Sequence, residues 1–174
     1  MIAILVKSMV ALVIILVSSL LTLDVGNAEQ STYIKISQSW SRATTSLQKT
    51  GAVFFKIKND GTHSDRLIGV ETDIANYSSL HEMIHEDGVM RMRSVEEGIK
   101  VLVNGEVVLA PGHKHIMLMG LKKQLIENSN IPLTLIFERS GEIDILAIVL
   151  SAGSRGPTQS STSEMKHKKH MMKK

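Results

Sequence analysis

The sequence predicts an all-β domain, a sandwich or a barrel, and two features of the chain support this prediction. Short apolar stretches of strand length recur through its body, separated by turn-forming residues at the regular intervals typical of such folds. No segment of useful length has the periodicity of an amphipathic helix. The predicted strands span residues 33–37, 52–58, 66–71, 89–93, 99–103, 106–110, 115–121, 133–137 and 143–150.

Turn signals mark the ends of these strands in order along the chain. The Asn104-Gly105 pair is the clearest hairpin signal, because it is flanked by apolar residues at alternate positions: Val101 and Val103 before it, and Val107 and Leu109 after it. We therefore predict a hairpin between the strands at 99–103 and 106–110. The turn signals are Asn59 and Gly61 after the second strand, Asp65 before the third, Asp87-Gly88 before the fourth, Asn104-Gly105 between the fifth and sixth, Pro111-Gly112 between the sixth and seventh, and Gly141 between the eighth and ninth.

Residues 1–28 have the features of a secretory signal peptide. One positive charge at Lys7 precedes an apolar run from Met9 to Leu21, and small residues lead to a cleavage position after Ala28. A retained membrane anchor is the alternative, because the apolar run is near the lower limit for crossing a bilayer. We expect cleavage, no stable membrane insertion afterwards, and a mature protein in the periplasm.

The chain after residue 28 divides into two parts by charge. Residues 29–154 contain 13 basic and 15 acidic side chains and are long enough for one domain with its own core, whereas residues 155–174 contain 6 basic side chains and 1 acidic one. The second part has almost nothing to bury, so we predict a disordered basic tail without a nucleic-acid partner. It is either merely solvated or a flexible segment that collects additional copper, including Cu(II), through Met165, His167, His170, Met171 and Met172.

Two compact clusters of histidine and methionine lie in the body of the chain. The first reads HEMIHEDGVMRM from His81, and the second reads HKHIMLM from His113. Imidazole and thioether ligands together favour copper, above all Cu(I). In an extended strand residues i and i+2 share a face, which would align His115 with Met117. We predict one Cu(I) site with four ligands: His81, Met92, His115 and Met117.

Methionine is also a flexible core filler, and this alternative explains Met90 or Met119 well. It does not explain why Met92 and Met117 each have a histidine at short range. The pairing of residue types in both clusters therefore favours metal binding for these two methionines.

The chain contains no cysteine, which narrows its chemistry. A blue-copper site with a thiolate ligand, disulfide exchange and c-type haem attachment are excluded. A b-type haem held by histidine and methionine is chemically open, but the few aromatic residues and the lack of a long helical pocket argue against it. Cu(I) bound by thioethers is poorly suited to activating water, so we predict no enzymatic activity. The acidic residues near the first cluster are expected to be solvated turn residues: Glu82, Glu86 and Asp87.

Most of this body resembles the periplasmic copper chaperones of the PCuAC family. The family's motif is His-x10-Met-x21-His-x-Met, and here ten residues separate His81 from Met92 and twenty-two separate Met92 from His115. The extra residue fits in a turn between the ligands. His113 is the alternative histidine, and the His-x-Met pairing favours His115. The stretches that carry the resemblance are WSRA at 40–43, GAVFFKIKN at 51–59, HEMIHEDGVMRMR at 81–93 and LAPGHKHIMLMGLK at 109–122.

The resemblance implies a cupredoxin-like Greek-key β-sandwich that binds Cu(I) near its surface. It also implies delivery of the metal towards cytochrome c oxidase, with either subunit II of the oxidase or another assembly factor as the copper-accepting partner. Two thioethers and two imidazoles leave room for an incoming ligand, so we expect transfer by ligand exchange. Copper scavenging without a dedicated acceptor is the alternative function, which the sequence does not separate from delivery.

Overall fold

The computed structural model describes residues 33–157, which form ten β-strands and no helix. The all-β prediction is therefore confirmed. No helix of membrane-spanning length and hydropathy occurs in this part of the chain. The predicted signal peptide and the predicted tail beyond residue 157 lie outside the described residues. The strands are β1 (Ile34–Arg42), β2 (Thr50–Asn59), β3 (Asp65–Glu71), β4 (Ala75–Glu86), β5 (Val89–Ser94), β6 (Ile99–Val101), β7 (Glu106–Leu109), β8 (His115–Leu121), β9 (Asn130–Phe137) and β10 (Gly141–Leu150).

The strands form one continuous sheet in the order β5-β4-β8-β2-β1-β10-β9-β3-β6, and β7 also pairs with β2. Only the β1–β10 pair is parallel among these strands. The two ends of the sheet fold towards each other: the Ser78 hydroxyl of β4 donates to the carbonyl of Val70 in β3 at 2.7 Å. The side-chain amide of Asn59 in β2 also donates across the interior, to the carbonyl of Val101 in β6 at 3.3 Å. The result is a sandwich with one apolar interior.

The interior is built from alternate residues of the strands, as the two-residue repeat of a strand requires. Leu80 of β4 and Ile116 of β8 are directly paired and are both buried in the core. Because neighbours along a strand point to opposite faces, this burial places His81 and His115 on the outer face of the sheet. Other fully or nearly buried core residues are Val53, Phe55, Ile57, Leu67, Val101, Leu118, Leu133, Leu135, Phe137, Ala147 and Val149.

Asp65 connects the start of β3 to the turn between β9 and β10 through hydrogen bonds. The residue is 5% exposed. One carboxylate oxygen accepts hydrogen bonds from the backbone amides of Arg66 and Arg139 at 2.7 and 3.0 Å. The other accepts from the amide and the hydroxyl of Ser140 at 3.0 and 2.6 Å. By accepting these four hydrogen bonds, the Asp65 carboxylate gives the polar groups of this turn the partners they need when buried.

Strand β4 is absent from the sequence prediction, which assigned no strand to residues 75–86. Its sequence, ANYSSLHEMIHE, is largely polar, and only Ala75 and Leu80 are buried. Ser, Asn, His and Glu carry little of the β-branched and aromatic character that marks a strand. Pairing with β5 on one side and β8 on the other decides its conformation.

The predicted hairpin at Asn104-Gly105 is wrong. The turn itself forms, with Asn104 at φ 53° and the Gly105 amide donating to the Leu102 carbonyl at 2.9 Å. However, β6 pairs with β3 and β7 pairs with β2. The turn carries the chain from one layer of the sandwich to the other, which buries both Val101 and Leu109.

Candidate metal centre

The four predicted ligands lie on three adjacent strands, in the order β5-β4-β8. His81 of β4 is directly opposite His115 of β8, and Met117 is opposite Ser79. Met92 of β5 is opposite Met83, two residues beyond His81. Residues that are directly opposite in a ladder share a face, as do residues i and i+2. All four predicted ligands therefore lie on the outer face of the sheet.

The position of Met92 depends on the tight turn between β4 and β5. Glu86 pairs with Val89, so only Asp87 and Gly88 form the loop, with φ of 51° and 78°. Positive φ at both loop residues is the geometry of a type I′ turn, which Asp-Gly favours. This turn fixes the register, and a slip by one residue would move Met92 to the other face.

His115 is 5% exposed, and one hydrogen bond orients its ring. The Nδ1 atom lies 3.0 Å from the carbonyl oxygen of His113, so Nδ1–H donates to that oxygen. The lone pair then belongs to Nε2. A backbone carbonyl that fixes the tautomer in this way is typical of histidines that bind metals. His113 itself is exposed and contributes its carbonyl to the orientation of His115.

His81 contains a buried nitrogen that no polar group of residues 33–157 contacts. Its Nε2 atom lies 3.0 Å from the Ser79 hydroxyl oxygen. Its Nδ1 atom is buried and has no hydrogen-bond partner among the described residues. A buried polar atom without a partner costs free energy, and a metal ion would satisfy it. With Nε2–H donating to Ser79, the Nδ1 lone pair is free to bind such an ion.

The two imidazoles are close neighbours, with ring centroids 6.1 Å apart. Burial, and secondarily the neighbouring His115, lowers the pKa of His81. Both effects disfavour the imidazolium form. The neutral form is the one that binds metals.

A cavity of about 210 Å³ opens on the outer face, and its lining includes Met92, His115 and Met117. Phe54 forms part of its wall, with its ring centroid 6.2 Å from that of His115. Met92 is 48% exposed, so solvent reaches this side of the site. His81 is not part of the cavity lining and approaches the group from the β4 side. A larger groove of about 540 Å³ between β3, β9 and β10 has no histidine or methionine in its lining.

Within residues 33–157, no group of three or more His, Asp or Glu side chains is placed to hold a metal ion. The site residues that the sequence did not reveal are Ser79 and Phe54. Ser79 precedes His81 by two residues, a spacing that is informative only once β4 is known to be a strand.

Glu82 is not the solvated turn residue that we expected. It lies in β4, its side chain is only 16% exposed, and it binds Arg93 of β5 at 2.7 Å and Lys114 at 2.8 Å. Hydrogen bonds from Lys114, and then from Arg93, lower the pKa of Glu82. These two ion pairs lie on the face of the sheet opposite to the predicted ligands. They join Arg93, which follows Met92, to Lys114, which precedes His115. Glu82 therefore helps to hold the three site strands together.

Replacing Glu82 with glutamine should lower the free energy of unfolding by about 1 kcal/mol at pH 7, the upper range for a partly exposed ion pair. The contribution of Glu82 is present above its ordinary pKa of 4.5 and is lost as the pH falls through the lowered pKa. Urea unfolding at pH 7 and at pH 3 measures both effects. Glu86→Gln is the control, because the 3.8 Å contact of Glu86 with Arg91 joins two exposed side chains. Equal stability of the Glu82 and Glu86 variants at pH 7 would contradict this role.

Residues 34–149, from β1 to β10, match the LpqE-like family, whose description reads "Putative lipoprotein LpqE-like". The chain is 32% identical over 109 residues to "Putative lipoprotein Lxx21020" of Leifsonia xyli subsp. xyli, which covers 63% of this chain and 64% of that protein. It is 28% identical over 104 residues to "Uncharacterized protein RP573" of Rickettsia prowazekii, with 58% of each covered. The chain thus spans less than two thirds of the length of either relative.

The fold is similar to that of several solved PCuAC domains. For the copper-bound PCuAC domain from PmoF2 the TM-score is 0.56 at 26% identity, covering 68% of this chain and 93% of that one. For the apo domain from PmoF2 the TM-score is 0.59 at 26% identity, covering 72% and 95%. Apo-DR1885 from Deinococcus radiodurans has a TM-score of 0.56 at 22% identity, covering 74% and 85%, which shows the fold alone. The predicted resemblance and the cupredoxin-like fold class are confirmed.

Proposed function

Because the chain belongs to the LpqE-like family and has the fold of PCuAC domains, we propose that it is an exported copper chaperone of the cell envelope that binds Cu(I). The observation that carries this proposal is the buried Nδ1 of His81, which lies beside His115 and has no hydrogen-bond partner within residues 33–157. Met92 and Met117 share the same outer face. The family's description as lipoproteins and the predicted signal peptide support export, and we place the protein in the periplasm.

The donor set favours Cu(I) over harder ions. Thioethers are neutral, soft ligands, and imidazole is compatible with copper in both oxidation states. Carboxylates, which hard cations prefer, are directed elsewhere: Glu82 is bound to Arg93 and Lys114 on the other face of the sheet. The hydrogen bonds of Ser79 and His113 leave one lone pair on each histidine for the ion. We assign His81, Met92, His115 and Met117 as the Cu(I) ligands.

In this proposal copper is the cargo and the protein transfers it by ligand exchange. The exposed Met92 gives an acceptor access to one side of the ion. A neutral thioether can be displaced by an incoming ligand without leaving an unpaired charge in the site. The acceptor we propose is the soluble copper-binding domain of cytochrome c oxidase subunit II, or another assembly factor that supplies it.

Deletion of the gene should lower oxidase activity in cells grown at low copper, and the wild-type gene should restore it. Complementation with Met92→Leu/Met117→Leu should fail, whereas Met119→Leu is the matched control and should restore activity. Oxidase activity per cell under copper limitation is the measurement. Normal oxidase activity together with reduced copper tolerance would contradict delivery and support scavenging.

Scavenging is the second candidate, and the composition of residues 165–172 favours it. This segment contains two histidines and three methionines in eight residues and lies outside the described residues. Histidine-rich tracts bind metals without a fixed geometry, so the tail would add Cu(II) as well as Cu(I) capacity. A store retains its metal when mixed with an acceptor, and a chaperone does not.

A further inference from the structure

The hairpin of β4 and β5 carries a second group of soft side chains that the four-ligand site does not use. His85 is directly opposite Met90, and Met83 is directly opposite Met92. Since these two pairs are separated by one pair in the ladder, all four side chains share the outer face. Three of them, Met83, His85 and Met90, therefore continue the row of imidazole and thioether groups beyond Met92.

One contact already brings two potential ligand atoms together. The Nδ1 atom of His85 lies 3.3 Å from the Sδ atom of Met90. Metal–nitrogen and metal–sulfur bonds of about 2.0 to 2.3 Å place two ligand atoms on one ion roughly 3 to 4.5 Å apart. Small side-chain rotations would admit an ion between them, because both residues are on the surface.

Core packing does not account for Met90. Its side chain is 51% exposed, so the core-filling interpretation that the sequence allowed for this residue is wrong. The positive charges of β5 do not oppose a cation here either. Arg91 is opposite Ile84 and Arg93 is opposite Glu82, positions that face the other side of the sheet. The outer face of the hairpin thus presents imidazole and thioether groups and no arginine.

We propose that Met83, His85 and Met90 form a second Cu(I) site, next to the four-ligand site and joined to it by Met92. The proposal rests on the proposed function only for the identity of the ion. Two exposed ligands and the half-buried Met83, without a buried histidine among them, bind more weakly and exchange faster than the inner set. The outer site is therefore where copper enters or leaves, with Met92 as the ligand common to both positions.

The test is an anaerobic titration of the full-length protein with Cu(I), followed through the ¹³C-labelled methionine methyl groups by NMR. The first equivalent should shift Met92 and Met117, and further Cu(I) should shift Met83 and Met90. The single variants Met83→Leu and Met90→Leu should each weaken the later binding, read from the methyl group of the remaining one of these two methionines, at least about tenfold and change the affinity of the first equivalent by less than about threefold. Met119 is another methionine on the same face, in β8. Met119→Leu is therefore the control and should change neither affinity.

Two results would overturn the second site. In the first, the Met83 and Met90 methyl groups do not move as Cu(I) is added beyond one equivalent. In the second, they move together with Met92 and Met117 in the first equivalent, which would indicate one larger site. Failure of the proposed function has a different signature, because Met92 and Met117 would then not respond to the first equivalent.

Discussion

Replacing Met92 and Met117 together with leucine should lower the affinity for Cu(I) by at least about a thousandfold, or about 4 kcal/mol, while the domain stays folded. Leucine is close to methionine in volume and polarity, and such exchanges usually cost less than about 1.5 kcal/mol of stability. The change removes both thioethers and leaves both imidazoles. Met92 is 48% exposed and Met117 is partly buried on the outer face, so neither residue is part of the central core.

Competition with a chromophoric Cu(I) chelator under anaerobic conditions measures this affinity, and urea unfolding of the metal-free protein measures the fold. The single variants Met92→Leu and Met117→Leu should each lose part of the affinity. Met119→Leu is the matched control on β8. Wild-type affinity in the double variant would show that the ligands are assigned wrongly.

Replacing Asp65 with alanine should lower the free energy of unfolding by about 3 to 5 kcal/mol. Hydrogen bonds to a charged group contribute roughly 1.5 to 3 kcal/mol, and buried donors that lose their acceptor add a further cost. The variant leaves the amides of Arg66, Arg139 and Ser140 without this acceptor. Asp144→Ala is the control, because Asp144 is exposed and its carboxylate accepts one hydrogen bond, from Thr134. A urea-unfolding difference between the two variants of less than about 1 kcal/mol would contradict the proposed anchoring role.

The contribution of Asp65 to the free energy of unfolding should also depend on pH and should decrease in acid. Burial alone would raise the pKa of Asp65, but the hydrogen bonds from Ser140 and from the backbone amides outweigh burial and lower it below 3.8. A lowered carboxyl pKa stabilises the fold above the unfolded value and ceases to do so as the pH falls through the folded value. The stability gap between wild type and Asp65→Asn should therefore narrow below about pH 4. A gap that stays constant down to pH 2 would argue against an ionised Asp65.

The sequence predicted strands well where the apolar pattern is strong and failed where a strand is polar. The predicted bounds 115–121 coincide with β8, whose alternate residues Ile116 and Leu118 are buried. The twelve-residue strand β4 was missed, although its residue His81 was named as a ligand. Residue type and spacing were enough to predict a ligand role for His81, which stays a prediction, whereas its backbone conformation depends on neighbouring strands far away in sequence.

Strand pairing shows the same division between local and distant causes. The Asn104-Gly105 turn is encoded locally and forms, yet the strands on its two sides pair with β3 and β2. The short Asp87-Gly88 loop does form a hairpin, because Glu86 and Val89 pair directly. Which partner a strand takes is decided by the burial that each pairing achieves across the whole sandwich.

The place of β5 at the end of the sheet has a consequence for how copper would leave the proposed site. No strand among residues 33–157 pairs with the outer edge of β5, and all six of its residues are exposed. Segments with few buried contacts open locally at a small fraction of the free energy of global unfolding. His81, His115 and Met117 lie on strands that are paired on both sides, whereas Met92 lies on β5, which is paired on one side only within residues 33–157. In the proposed site, Met92 would thus leave the ion by a local opening of the hairpin, so the edge of the sheet would set the lifetime of bound copper while the core stays intact.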